Sequence, residues 1–218
     1  LIAFVDGYVK PESATVWDGT TEQPFNGGDG SSWSEAILIE NPQELAWVIS
    51  NSTDKNSLKY YKLTKDIYLN DVTKINWETG VAEDGYTINS WYGNYESTAF
   101  SGTIDGNGHV VYGLYFNVGS SYGNYLDYTV GLIPEVTGTA NISNLGVDKA
   151  FINYESYAAA FVGLGRSGTT ANIDACYVGQ DVYITAYSAG AFRGASKDMT
   201  TNVSNCYTLA TLTSKGGT

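Results

Sequence analysis

The sequence predicts an all-β protein: a right-handed parallel β-helix (a β-solenoid) with a short N-terminal capping helix. Three observations predict it. The first is a tyrosine period. Tyr95, Tyr125, Tyr154 and Tyr183 follow one another at steps of 30, 29 and 29 residues, and Tyr92 and Tyr122 lie 30 apart in similar strings. Tyr128, Tyr157 and Tyr187 repeat the step three or four residues further along. A fixed period of this size is the mark of a stacked repeat. The second is that residues unrelated to tyrosine keep the same period. Leu132, Phe161 and Phe192 share one register, Ile142, Ile173 and Val203 a second, and Leu145, Cys176 and Cys206 a third. The third is that each repeat holds short apolar runs broken by Gly, Ser, Thr, Asn and Asp, which read as strands and turns.

The elements follow in order. Residues 1–57 read as an N-terminal segment and helical cap, and residues 58–218 as one continuous domain of β-helix coils. The opening LIAFVDGYVK is apolar but carries Asp6 and lacks a basic start and a cleavage-like end, so it is not read as a signal peptide. A turn-rich stretch from Trp17 to Gly30 leads to a short strand, Ile37-Leu38-Ile39. Asn41 then offers an N-cap, Pro42 suits the first helical position and Glu44 completes a capping box. Leu45, Val48 and Ile49 give that helix an apolar face, which would cover the open end of a stacked core. Residues 60–69 alternate like a first coil strand.

Thirty residues fit one three-sided coil, whose inward positions would stack Leu, Ile, Val, Phe and Cys into a continuous interior. Parallel strands from successive coils would lie about 4.8 Å apart. Right-handed winding follows from the handedness of parallel crossovers. Cys176 and Cys206 fall one coil apart. That spacing admits a disulfide, and equally two unbonded thiols in a core ladder.

The string Phe100-Ser101-Gly102-Thr103-Ile104-Asp105-Gly106-Asn107-Gly108-His109-Val110-Val111 resembles the hallmark of GLUG-repeat proteins. NPQELAWV, YYKLTKDIYL, ISNLGV and VSNCYT are similar to that family's cap, first coil and later coils, so the likeness spans about residues 17–212. It implies a right-handed β-helix from a bacterial cell-surface or secreted protein, of the adhesin or cellulosome-associated type, with no activity common to the family. Two departures stand out. An insertion carrying Trp77, Tyr86, Trp91, Tyr92 and Tyr95 precedes Phe100, and tyrosine repeatedly replaces small or aliphatic residues between coils. Both are expected to add exposed aromatics.

Composition narrows the partners. Net charge is −12 with 11 Lys plus Arg, which argues against nucleic acid and anionic membranes. No run of 18 apolar residues is present, so no membrane insertion is expected. A neutral glycan fits this charge best. A pyranose presents an apolar face and a rim of hydroxyls, which tyrosine matches with its ring and its O–H. The expected binding residues are Trp91, Tyr92, Tyr95, Tyr122, Tyr125, Tyr128, Tyr154, Tyr157, Tyr183 and Tyr187, with Asp127 and Glu155 as hydroxyl acceptors. The competing reading of the tyrosines is an aromatic ladder that stabilises stacked strands by about 0.2–1 kcal/mol per pair. His109, the single histidine, ends a glycine-rich turn and reads as structural.

No cofactor is expected. Asp18, Asp29, Glu83 and Asp84 could serve calcium, but no EF-hand or repeated GGxGxD pattern frames them. The expected function is therefore a non-catalytic, extracellular carbohydrate-binding or adhesion module, one of several in a longer polypeptide, holding cellulose or another plant β-glucan. A polysaccharide lyase or glycoside hydrolase is the alternative, and a structural stalk the second. A hydrolase needs two carboxylates at a set separation, and no such pair repeats beside Arg166 or Arg193.

Overall fold

The computed structural model describes residues 14–91, 99–118, 129–165, 167–195 and 199–216. Among these the chain is mostly β, with one α-helix and predominantly parallel sheets. A seven-stranded sheet runs Ile37–Ile39, Tyr60–Leu63, Phe100–Asp105, Ile133–Ser143, Thr170–Asp174 and Thr200–Ser204, with Val162–Gly165 also paired to Ile133–Ser143. A five-stranded sheet holds Ile67–Tyr68, Val110–Tyr112, Gly146–Asp148, Tyr177–Val178 and Tyr207–Thr208. A four-stranded sheet holds Tyr115–Asn117, Ala150–Asn153, Val182–Ala186 and Thr211–Ser214. Successive passes of the chain visit these sheets in the same order, and each pass pairs in parallel with the one before it.

The three expected apolar registers hold. Ile142 pairs with Ile173 and Ile173 with Val203. The Phe161 and Phe192 rings lie 5.5 Å apart, and Leu132 precedes Ile133, the partner of Val162. Gly146, Tyr177 and Tyr207 are in register, which aligns Leu145, Cys176 and Cys206. Alternate residues make the interior: Ile142, Ile173, Val147, Val178, Ile152 and Ile184 are buried to within 1% exposure. The cysteines are unbonded. Cys206 Sγ instead accepts from the Cys176 backbone N–H, and burial pushes the Cys176 thiol up to about 12.

Four passes turn from the seven-stranded sheet into the five-stranded one through a left-handed residue, Asn107, Asn144, Ala175 or Asn205, at φ of 51 to 54°, and in the first of these Gly108 follows at φ 82°. Asparagine tolerates this region because its short side chain bonds locally. Asn144 Nδ2 donates to Asp105 and Asn205 Nδ2 to Asp174, each reaching the preceding pass.

The helix Pro42–Asn51 starts where expected, with Asn41 Oδ1 accepting from the Glu44 N–H at 2.8 Å. Glu44 returns its bond one residue further out than a capping box would, to the Glu40 N–H. Leu45, Ala46, Val48 and Ile49 are buried against the interior, so the helix covers that end of the sheets' core.

The insertion departs from expectation. Among its described residues it adds no exposed aromatic: Trp77 and Trp91 are buried and Tyr86 is half-buried. Ile75–Asn76 and Val81–Ala82 form an antiparallel hairpin, and Trp77 is buried with its indole N–H on the Val72 carbonyl. With Tyr68, Tyr112, Tyr115 and Tyr177 the insertion builds a second apolar cluster on the outer side of the five- and four-stranded sheets. Asn70, fully buried, pins it: its Nδ2 donates to the Asn89 and Gly113 carbonyls, and its Oδ1 accepts from the Asn89 N–H.

Candidate functional site

Among the described residues, Trp91, Tyr154, Tyr157, Tyr183 and Tyr187 do not form one exposed aromatic row. Trp91 is buried, its ring edge-on to Trp17 at 4.9 Å and its indole N–H on the Leu132 carbonyl. Tyr154 is buried edge-on to Phe116 at 5.3 Å. Neither offers a face to a ligand. The physical reason is register. Phe151 pairs with Tyr183, a step of 32 residues, because the loops between strands differ in length from pass to pass. A tyrosine step of 29 therefore leaves Tyr154 and Tyr183 three positions apart.

Tyr157 pairs with Ser188, so Tyr187 is also out of register, although the two tyrosine rings meet edge-to-face at 6.4 Å. Tyr157 is half-buried and Tyr187 is exposed. Tyr183 is half-buried beside the second apolar cluster, continuing a row in which Tyr115 stacks on Phe151. Glu155 is exposed and paired with Lys215 at 2.8 Å. Tyr92, Tyr95, Tyr122, Tyr125, Tyr128 and Asp127 lie outside the described residues.

Among the described residues, stacked tyrosine pairs lie elsewhere. Tyr68 stacks on Tyr112 at 5.2 Å and Tyr177 on Tyr207 at 5.4 Å, and all but Tyr207 are buried. Burial drives the Tyr68 phenol up to about 12 and raises Tyr112 and Tyr177 further. These rings stabilise strands, the competing reading of the sequence. His109 Nδ1 sits 3.2 Å from Asp66, which also accepts from the Val110 N–H, in keeping with a turn-end role. Asp18 and Asp29 accept from Thr20 and Ser31 within their own turns, and Glu83 pairs with Lys74. Among the described residues no three ligand-type side chains gather around a common point.

What the structure does bring together is the outer face of the seven-stranded sheet. The strands Ile133–Ser143, Thr170–Asp174 and Thr200–Ser204 read TANIS, TANID and TTNVS over their paired positions. Their Ala140, Ile142, Ala171 and Ile173 point inward. The alternate positions leave three outward rows: Thr139, Thr170 and Thr200; Asn141, Asn172 and Asn202; Ser143, Asp174 and Ser204. All nine are half-exposed or exposed.

The middle row is a hydrogen-bonded amide ladder. Asn202 Nδ2 donates to Asn172 Oδ1 at 2.8 Å, Asn172 Nδ2 to Asn141 Oδ1 at 2.8 Å, and Asn141 Nδ2 to Thr103 Oγ1 at 3.1 Å. A primary amide has two N–H donors and two acceptor lone pairs. The ladder consumes one of each at Asn172, leaving one N–H and one lone pair for an outside group. In the third row Asp174 accepts from Ser204 Oγ and Asn205 Nδ2, and these bonds hold its carboxyl below the usual range.

Thr103 pairs in turn with Tyr60, and Trp33 meets Tyr60 edge-on at 4.9 Å. Trp33 is 49% exposed. Its turn is closed by the Gly30 N–H on the Glu35 carbonyl and hung on the sheet by the Tyr60 N–H on the Gly30 carbonyl. Trp33, Tyr60 and the Thr-x-Asn-x-Ser repeat were missed in the sequence. The repeat was visible beside its isoleucines as alternation of polar and apolar residues. Trp33 had no signal, since its neighbour is distant along the chain.

Comparison of the chain with protein-family models, with curated proteins and with solved structures finds no match.

Proposed function

We propose that the chain is a right-handed β-helix of the GLUG-repeat kind and a non-catalytic module that holds a neutral polysaccharide on the outer face of its long sheet. The parallel sheets, visited in constant order, and the DGNGH turn support the first part. One observation carries the second: the Asn141–Asn172–Asn202 ladder, headed by the Trp33–Tyr60 pair. An indole face stacks on the apolar side of a sugar ring. Each ladder amide presents a donor beside an acceptor, the pairing that two neighbouring sugar hydroxyls require. The ladder bonds fix the amides beforehand, so little side-chain entropy is lost on binding. The acidic balance of the chain favours an uncharged ligand, and the resemblance to GLUG-repeat proteins implies a bacterial surface or secreted protein with further modules as its setting.

In this reading the binding site lies on the ladder face rather than along the tyrosine row, of whose described members half-buried Tyr157 and exposed Tyr187 meet edge-to-face. Retention on insoluble cellulose and chitin tests this. Trp33→Ala and Asn172→Ala should each reduce retention by about ten-fold or more, at a loss of ~1.4 kcal/mol. Unchanged retention in both variants rejects the ladder face.

The alternative, a polysaccharide-cleaving enzyme, finds its best footing at His109 and Asp66, 3.2 Å apart in a depression shared with Glu40, Lys65 and Tyr68. Release of reducing ends or unsaturated sugar, abolished by His109→Gln, would favour it over the binding module.

A further inference from the structure

We infer that the ladder face recognises the ordered surface of a polysaccharide, with many chains packed side by side, rather than a single chain in solution. The inference rests on the glycan-binding reading and narrows its ligand. Three features carry it.

The first is two-dimensional order. Ile133–Ser143, Thr170–Asp174 and Thr200–Ser204 pair without a register shift over these positions. Hydrogen-bonding groups therefore recur about 4.8 Å apart across the strands and about 6.6–6.8 Å apart along them. The threonine, asparagine and serine or aspartate rows form a grid. A single chain could follow only one row, and the other two would remain in water.

The second is low relief among the described grid residues. The grid residues are Thr, Asn, Ser and Asp, none longer than asparagine. A site for one soluble chain surrounds much of its ligand. This grid offers contact from one side only, which suits a ligand that is itself a plane.

The third is rigidity. Two 2.8 Å amide bonds lock the middle row to the rise of the sheet, and Ser204 and Asn205 lock Asp174. A fixed array gains from a fixed partner, because many weak contacts then form together. It gains little from a flexible oligomer that must be ordered first.

The test uses the full chain in depletion isotherms on crystalline cellulose, on amorphous regenerated cellulose, and in titration with soluble cellohexaose. The expected result is retention at least about ten-fold tighter on the crystalline form than on the amorphous one, with no measurable binding to cellohexaose. Thr170→Tyr raises a ring from the middle strand of the grid. It should cut crystalline retention at least about ten-fold, since a bump holds two planes apart. Thr200→Tyr on the last strand does the same with less risk to folding, and far-ultraviolet circular dichroism checks both. Equal affinity for cellohexaose and the crystal, or undiminished crystalline retention in both folded variants, overturns the inference and leaves glycan binding standing. No retention on any form of cellulose or on chitin overturns both.

Discussion

Asn172 and Asn202 are joined by a 2.8 Å amide hydrogen bond that crosses from one strand of the long sheet to the next. The same bond recurs between Asn141 and Asn172. The residues that mark the candidate face therefore also brace the sheet. Asn172→Ala removes two of these bonds at a half-exposed site. It should lower unfolding free energy by about 1–2 kcal/mol, since a net intramolecular hydrogen bond is worth about 0.5–1.5 kcal/mol. Urea denaturation followed by circular dichroism measures it. A loss above the effect of Asn202→Ala, which removes one bond, is expected.

Asn70 makes a larger prediction. Its amide satisfies three backbone groups in the interior, on Asn89 and Gly113. Asn70→Ala leaves those groups without their partner, at a cost of about 1–3 kcal/mol for each one that stays dry. The variant should lose at least about 3 kcal/mol, or fold only in part. Hydrogen exchange at residues 71–91 should rise more than in the long sheet, because the amide ties that insertion down.

Ala175 stands in the left-handed region at φ 51°, where its counterparts in neighbouring passes are Asn144 and Asn205. An alanine there costs about 1–2 kcal/mol over the right-handed form. Ala175→Asn should stabilise the protein by about 0.5–1 kcal/mol, with a side chain able to reach back toward Ser143 as Asn205 reaches Asp174. Thermal melting reads the change, and a lower midpoint contradicts it.

Asp148 carries the pH prediction. Burial raises its pKa above the ordinary 3.8, opposed by the Lys149 backbone N–H and the Lys149 charge, with Asp181 raising it further. Tyr112 and Tyr177 face it from the same outer cluster. Its folded-state pKa exceeds the unfolded one, so its protonated form favours the fold. That contribution is present below 3.8 and is lost as pH climbs through the raised value. Asp148→Asn keeps an acceptor for the Lys149 N–H and removes the titration. The stability of the variant relative to the parent should increase from pH 3.8 to neutrality, as read from urea midpoints. A difference that is flat with pH would contradict it.

The sequence by itself determined the class of fold and its interior. Ile142 and Ile173 align because positions inside the stack must be apolar, a demand that is periodic and local, and Val203 keeps the same register on an exposed strand. The helix start at Asn41 and Pro42 was legible for the same reason, since capping acts within one turn of chain. Only the tertiary structure decided which tyrosines meet. The passes differ in length: 32 residues separate Phe151 from Tyr183, but 31 separate Ile142 from Ile173. Loops absorb such differences without disturbing the ladders, so equal spacing along the chain does not become adjacency in space. The tertiary structure also buried Trp77 and Trp91, and it laid Trp33 beside Tyr60. Burial depends on which segments cover a residue, and the segments that cover these come from far along the chain.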